Sequence, residues 1–224
     1  MMFFPKKLRS ILKSDKVLEI GPGSHPHPRS NVFLELRFAN PEEKLKQRGG
    51  IDQEANFGKK PIIYYDGKEF PFKDNEFDYV ICSHVIEHVP NLEFFMNEIF
   101  RVGNGKGYIE YPLITYDYLY DFEVHLNFIK YNSEDNTLLW KKKSSTHLND
   151  FLPITALLRQ MLALGWDDLC SSNKDFFFEG FEFKEKFYIR EIQEISKLLP
   201  LYQTINKKKF FRKRINQVLN KVKI

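Results

Sequence analysis

The chain has 224 residues, 42% hydrophobic and 29% charged, with a net charge of +4 and two cysteines. Those proportions suit one globular domain with a sizeable core and exclude a disordered chain. Cys82 and Cys170 alone cannot build a disulfide framework or a four-cysteine zinc site, and no run approaches the roughly 20 apolar residues of a membrane-spanning helix.

In "MMFFPKKLRS" the apolar residues precede the positive charges, the reverse of a secretory signal peptide, so a cytoplasmic location is expected. Residues 1–15 read as a basic amphipathic segment ahead of a main domain over 16–200. "KVLEIGPG", 16–23, is an apolar run broken by glycines, a buried strand ending in a tight turn. "NVFLEL" is a second strand, "NPEEKLKQRGG" a short helix with acids in its first turn, "PIIYYDG" a third strand and "EFDYVICS" a fourth. "NLEFFMNEIFRVG" is a helix with apolar residues at helical spacing and Gly103 as its stop, and "GKGYIEYP" is a fifth strand. Strands alternating with helices predict an α/β fold, a parallel Rossmann-like sheet with helices on both faces.

From about 113 to 150 the rhythm breaks. This stretch is aromatic, and "NSEDN" predicts a hairpin, so it reads as an insertion over the cleft after the fifth strand. "ITALLRQMLALGW" is an amphipathic helix, and "FFFEGFEFKEKFYI" supplies one or two final strands. Residues 201–224 form a basic tail: no acid follows Glu194, and Phe211, Ile215, Val218, Leu219 and Val222 recur at helical spacing. Such a helix suits packing of its apolar face on the domain with a solvated basic face or, in the sharper reading, contact with a membrane surface or another polyanion.

Four strand ends carry chemistry: Gly21-Pro22-Gly23, Glu35, Asp66-Gly67 and Ser83-His84. Ligands of parallel sheets bind at such ends. Glycines let a ligand reach bare backbone N–H groups, Glu35 could accept from ribose hydroxyls, and Asp66 could accept from an adenine amino group lying against Gly67.

With "VLEIGPG", "DGKEFPFKDNEFDYVICSHVIEHVPN" and "NEIFRVGNGKGYIEYP", the chain over roughly 16–112 resembles the class I S-adenosylmethionine-dependent methyltransferases, in particular the small bacterial methyltransferase-domain group. The resemblance implies S-adenosylmethionine as cofactor, held by Gly21, Pro22, Gly23, Glu35, Asp66, Gly67, Ser83 and His84. Two departures stand out: His25 replaces the third glycine of the turn, and only "SHPHPRS" leads to the second strand, so the first crossover is shortened. His25, His27 and Arg29 in that loop are candidates for an anion clamp, or simply solvent-facing groups on a proline-stiffened loop.

"CSHVIEHVPN" also matches H-x-x-E-H, a zinc-protease helix signature. Its place after a strand in a nucleoside-binding pattern argues against that chemistry. No residue is assigned to a metal, although on a helix His84, Glu87 and His88 could join His125 or His147 around a divalent ion. His88 and His125 are instead the candidate catalytic residues, as base or in positioning the acceptor. The expected acceptor is a small polar molecule, a sugar, nucleotide or surface-glycan precursor methylated on oxygen; the glycan suggestion rests on family analogy. Nucleic acid is not expected as a partner, since the Asn/Asp-Pro-Pro-Tyr/Phe signature is absent. The alternative is a non-catalytic nucleoside-binding scaffold of the same fold.

Overall fold

In the computed structural model, which describes residues 2–48, 56–146 and 153–200, the apolar runs become the strands of a central sheet. These are β1 (Val17–Ile20), β2 (Val32–Leu36), β3 (Ile62–Tyr65), β4 (Tyr79–Ser83), β5 (Gly107–Pro112) and β8 (Phe178–Phe183). Their order is β3-β2-β1-β4-β5-β8, parallel from β3 through β5 and antiparallel at β8. This is the α/β, Rossmann-like arrangement read from the sequence. Strand order reverses between β1 and β4, and a crevice opens outside the carboxyl ends of strands at such a reversal. Gly21 and Ser83 stand at those two ends.

Alternation along the strands gives the sheet two apolar faces. Leu18, Ile20, Val80, Cys82 and Ile109 point to one, where helix α2 (Leu92–Val102) packs through Leu92, Phe95, Met96, Ile99 and Phe100. The helix begins where it does because the Asn91 side chain accepts from Phe94 N, and it stops at Gly103, where a Cβ would lie 2.5 Å from Val80 Cγ2. Val17, Tyr79, Ile81 and Tyr108 point to the other face. Phe4 of the N-terminal segment covers it, together with Tyr120 of α3 (Ile114–Tyr120) and Cys170. Both cysteines are free and buried, one on each face.

The connection from β1 to β2 contains no helix, in line with the short spacing. It is pinned from within. Glu19 of β1, 4% exposed, accepts from His27 N at 2.8 Å and Ser30 Oγ at 2.6 Å, and the Asn31 side chain accepts from Val17 N. A rigid loop thus replaces the usual crossover helix. Between β2 and β3 the sequence-predicted short helix is α1 (Pro41–Gln47), capped by Asn40.

After β5, α3 leads to the hairpin of β6 (Asn127–Asn132) and β7 (Thr137–Lys142), whose turn is the "NSEDN" stretch. A late strand, β9 (Tyr188–Glu191), joins β7 in parallel to make a second, three-stranded sheet. The amphipathic stretch after 153 is helical as α4 (Pro153–Met161), followed by a π-helical turn through Gly165, whose φ is 104°. Among the described residues no helix is long and apolar enough to cross a membrane. The basic tail from 201 to 224 and His147 lie outside the described residues.

Candidate active site

A cleft of about 730 Å³ runs over the carboxyl ends of β1 to β4. Gly21, Pro22, Gly23, Glu35, Asp66, Gly67, Ser83, His84, His88 and His125 all line it. Residues spread over more than 100 positions therefore share one wall, in a space of the size that holds a small-molecule ligand.

At one end the surface is largely backbone. Gly21, Gly23 and Gly67 have φ values of 58°, 57° and 85°, the left-handed region that favours glycine. A Cβ on Gly21 would lie 2.5 Å from Val85 Cγ2, whereas nothing stands within 4 Å of the Cβ position of Gly23, so main chain meets open cleft there. This turn fits an anionic ligand group that approaches bare N–H groups. Glu35 stands in the wall with one carboxylate oxygen held by Arg48 at 3.3 Å. Burial raises its pKa, and Arg48 opposes the shift. Asp66 is exposed, accepts from Lys68 N at 3.1 Å and is kept below its usual pKa chiefly by that bond. Of the candidate anion clamp, His27 and Arg29 are committed to the loop. Arg29 N donates to His27 Nδ1 and the Arg29 guanidinium to Leu12 O. His25 alone of the three lines the cleft.

The other end is built from side chains. Residues 84–88 form a turn rather than the helix on which the H-x-x-E-H spacing would place two histidines on one face. Two causes are visible: His84 has φ 56°, outside the helical range, and Pro90 disfavours helix at Val89, leaving Asn91 to cap α2. His84 N donates to Glu110 O at 2.8 Å and its Nε2 to Glu110 Oε1 at 3.0 Å. Ser83 Oγ donates to the same carboxylate. The side chains of Ser83 and His84, expected on the cofactor, are thus spent largely on Glu110.

Glu110 carries no sequence signal beyond being an acid inside a strand. Fully buried, it also accepts from Phe3 N at 2.7 Å, Phe4 N at 2.9 Å and Tyr108 OH at 2.5 Å. Burial would raise its pKa, but these donors, His84 foremost, bring it below the ordinary value. Burial likewise opposes charge on His84, yet the carboxylates of Glu110 and Glu87 outweigh it and lift its pKa to about 8. Phe3 stacks on Phe178 and meets His84 edge-on, so the N-terminal segment supplies part of the cleft wall.

Beyond His84 the turn places Glu87 and His88 against His125 from the insertion. The two imidazoles meet edge to face with centroids 4.9 Å apart. His125 Nδ1 donates to Asp117 Oδ1 of α3 at 2.8 Å, a partner the sequence reading missed although it lies eight residues upstream. Burial pushes the His88 pKa down to about 4 against the pull of Glu87. Burial would raise Glu87, but the three histidines hold it below its ordinary value. The insertion is stitched to the backbone of the turn: Leu126 N and Asn127 N donate to Glu87 O, and the Asn127 side-chain Nδ2 to Ile86 O and Val89 O.

Residues 41–110 match the Methyltransferase domain family. An uncharacterized protein of Methanocaldococcus jannaschii is 41% identical over 58 residues, which are 26% of this chain and 25% of that protein. The match therefore spans a quarter of that relative's length. Among solved structures, a protein of Pyrococcus horikoshii is similar at 17% identity and a TM-score of 0.39, covering 82% of this chain and 88% of its own. A SAM-dependent methyltransferase of Methanosarcina mazei is similar at 18% identity and a TM-score of 0.35, covering 58% of this chain and 72% of its own. At those scores the likeness adds nothing to the strand order read directly from this chain. The match over residues 41–110, less than half of the chain, makes that segment similar to the Methyltransferase domain family, and it lies in a sheet whose order reverses between β1 and β4 beside the glycine turn.

Proposed function

We propose that the chain transfers the methyl group of S-adenosylmethionine to an oxygen of a small polar acceptor, of the sugar, nucleotide or surface-glycan-precursor class. The observation that carries this reading is the division of one cleft into a backbone end at Gly21–Gly23 and an imidazole-and-carboxylate end at Glu87, His88 and His125. The first suits the cofactor, with Glu35 toward the ribose and Asp66-Gly67 toward the adenine. The second suits a polar acceptor, which His88 and His125 position. A sulfonium methyl is already activated, so this chain's task is to align the acceptor and exclude water.

Calorimetry with S-adenosylmethionine is the first test, with one site per chain expected. No binding at millimolar ligand would remove the proposal. A panel of sugar nucleotides, glycan precursors and phenols, followed by detection of S-adenosylhomocysteine, then identifies the acceptor class. Cofactor binding with no turnover on any of them would favour a nucleoside-binding scaffold. We also propose that the basic tail contacts anionic membrane surfaces. Sedimentation with anionic vesicles should be lost on truncation after residue 200, and sedimentation unchanged by truncation would refute it.

A further inference from the structure

From the sequence no residue is assigned to a metal, but the fold assembles a ligand set. We propose that Glu87, His88 and His125 bind one divalent transition-metal ion, of the zinc or manganese kind, at the acceptor end of the cleft. One ligand atom from each of the three lies within 4.8 Å of the others.

The state of the side chains supports this independently of their spacing. The Glu87 side chain is 1% exposed, yet no described residue makes a hydrogen bond to either oxygen. The nearest donors, His84 Nδ1 and His88 Nε2, stand 3.4 and 3.8 Å from Oε1. These histidines are near enough to compensate the charge but make no hydrogen bond to it, and buried carboxylates ordinarily accept hydrogen bonds or bind metal. Nδ1 of His88 is also buried with no hydrogen-bond partner among the described residues. His125, by contrast, is oriented: with Nδ1–H given to Asp117, its Nε2 keeps a lone pair, the arrangement in which a carboxylate behind a histidine fixes the tautomer for metal ligation. The stitching of residues 126 and 127 to the backbone of the turn holds the two ligand-bearing segments together without the ion.

Two imidazoles and one carboxylate favour zinc or manganese over magnesium or calcium, which prefer all-oxygen shells. Three protein ligands leave coordination positions open toward the cleft, where an acceptor oxygen could sit. Ion binding stands on these side chains alone; the ion's role in orienting an acceptor rests on the methyl-transfer reading.

The test uses the full chain, stripped with a chelator and dialysed. Calorimetry with zinc, manganese and magnesium chlorides should give one site for zinc or manganese and at least about tenfold weaker binding of magnesium. His125→Gln and Asp117→Asn should each weaken zinc binding on the order of tenfold to 100-fold, while His27→Gln, in the β1–β2 loop, should leave it unchanged. Circular dichroism checks that each variant is folded. Should His125→Gln fail to fold, anomalous scattering at the zinc edge from crystals of the unmodified chain decides the matter. A peak among Glu87, His88 and His125 supports the site, and a peak elsewhere overturns it. Absence of stoichiometric zinc or manganese binding, or binding indifferent to His125→Gln, also overturns it. S-adenosylmethionine titrated into the same stripped protein separates the two readings. Ion without cofactor removes the methyl-transfer role and leaves the site, and cofactor without ion does the reverse.

Discussion

At the end of the cleft proposed for the cofactor, the wall is main chain in left-handed glycine turns, and the nearby buried acids have partners: Glu19 holds its own loop and Glu35 holds Arg48. At the end proposed for the acceptor, the wall is side chains drawn from a turn after β4 and from a segment nearly 40 residues later. There the buried acid Glu87 has no hydrogen-bond partner among the described residues. Between the two lies Glu110, whose carboxylate gathers donors from the N-terminal segment, β4 and β5. The difference teaches that one end is specified by local backbone geometry, and the other by which distant segments the fold brings together.

The sharpest break in this arrangement is Glu110→Ala. It leaves two backbone amides, the Tyr108 hydroxyl and His84 without their acceptor, and breaking such a buried charged network costs about 3–5 kcal/mol. Urea unfolding should show the loss, and a loss within experimental error would mean that Glu110 is not the link between the two ends. Next is Gly21→Ala. A methyl at φ 58°, 2.5 Å from Val85 Cγ2, should cost about 3 kcal/mol through strain and overpacking. It should also abolish cofactor binding in calorimetry, and retention of normal affinity would show that the turn does not hold the ligand.

What sequence could disclose follows the same division. The turn at Gly21–Gly23, the helix stop at Gly103, the hairpin at "NSEDN" and the missing crossover helix are local and were legible, because each depends on a few neighbouring residues. Glu110 and Glu19 were not: an acid inside an apolar strand says only that something must satisfy it, and their partners lie as far as 107 residues away. The spacing of His84 and His88 fits a helix face as well as a turn. Only the left-handed His84 and the later cap decide between them.

Glu19 offers a gentler probe of the cofactor end. Burial lifts its pKa from an ordinary 4.5 to about 7, against the hydrogen bonds from Ser30 and His27. The folded chain therefore holds a proton that the unfolded chain releases, and stability falls as pH rises from about 4.5 to 7, by about 3 kcal/mol in all. Glu19→Gln keeps an acceptor for Ser30 and His27 but cannot ionise. Its stability relative to the parent chain should climb across that window and level off above it, as read by urea unfolding at each pH. A difference independent of pH would show that Glu19 ionises in the fold as it does in the unfolded chain. The smallest expected effect is that of Asp66→Asn. Because this side chain is exposed, unfolding should not change, while affinity for S-adenosylmethionine should fall a few-fold. Unchanged affinity would remove Asp66 from the adenine contact.

The N-terminal segment also bears on the order in which the molecule assembles. Phe3 N and Lys7 Nζ bond to partners 107 and 173 residues further along, on β5 and β8. Contacts of such sequence separation slow folding, because a long loop must close before they are rewarded. Residues 3–7 should thus be among the last to dock. One face of the sheet stays open until β8 has formed, and the cleft wall at Phe3 is completed only then.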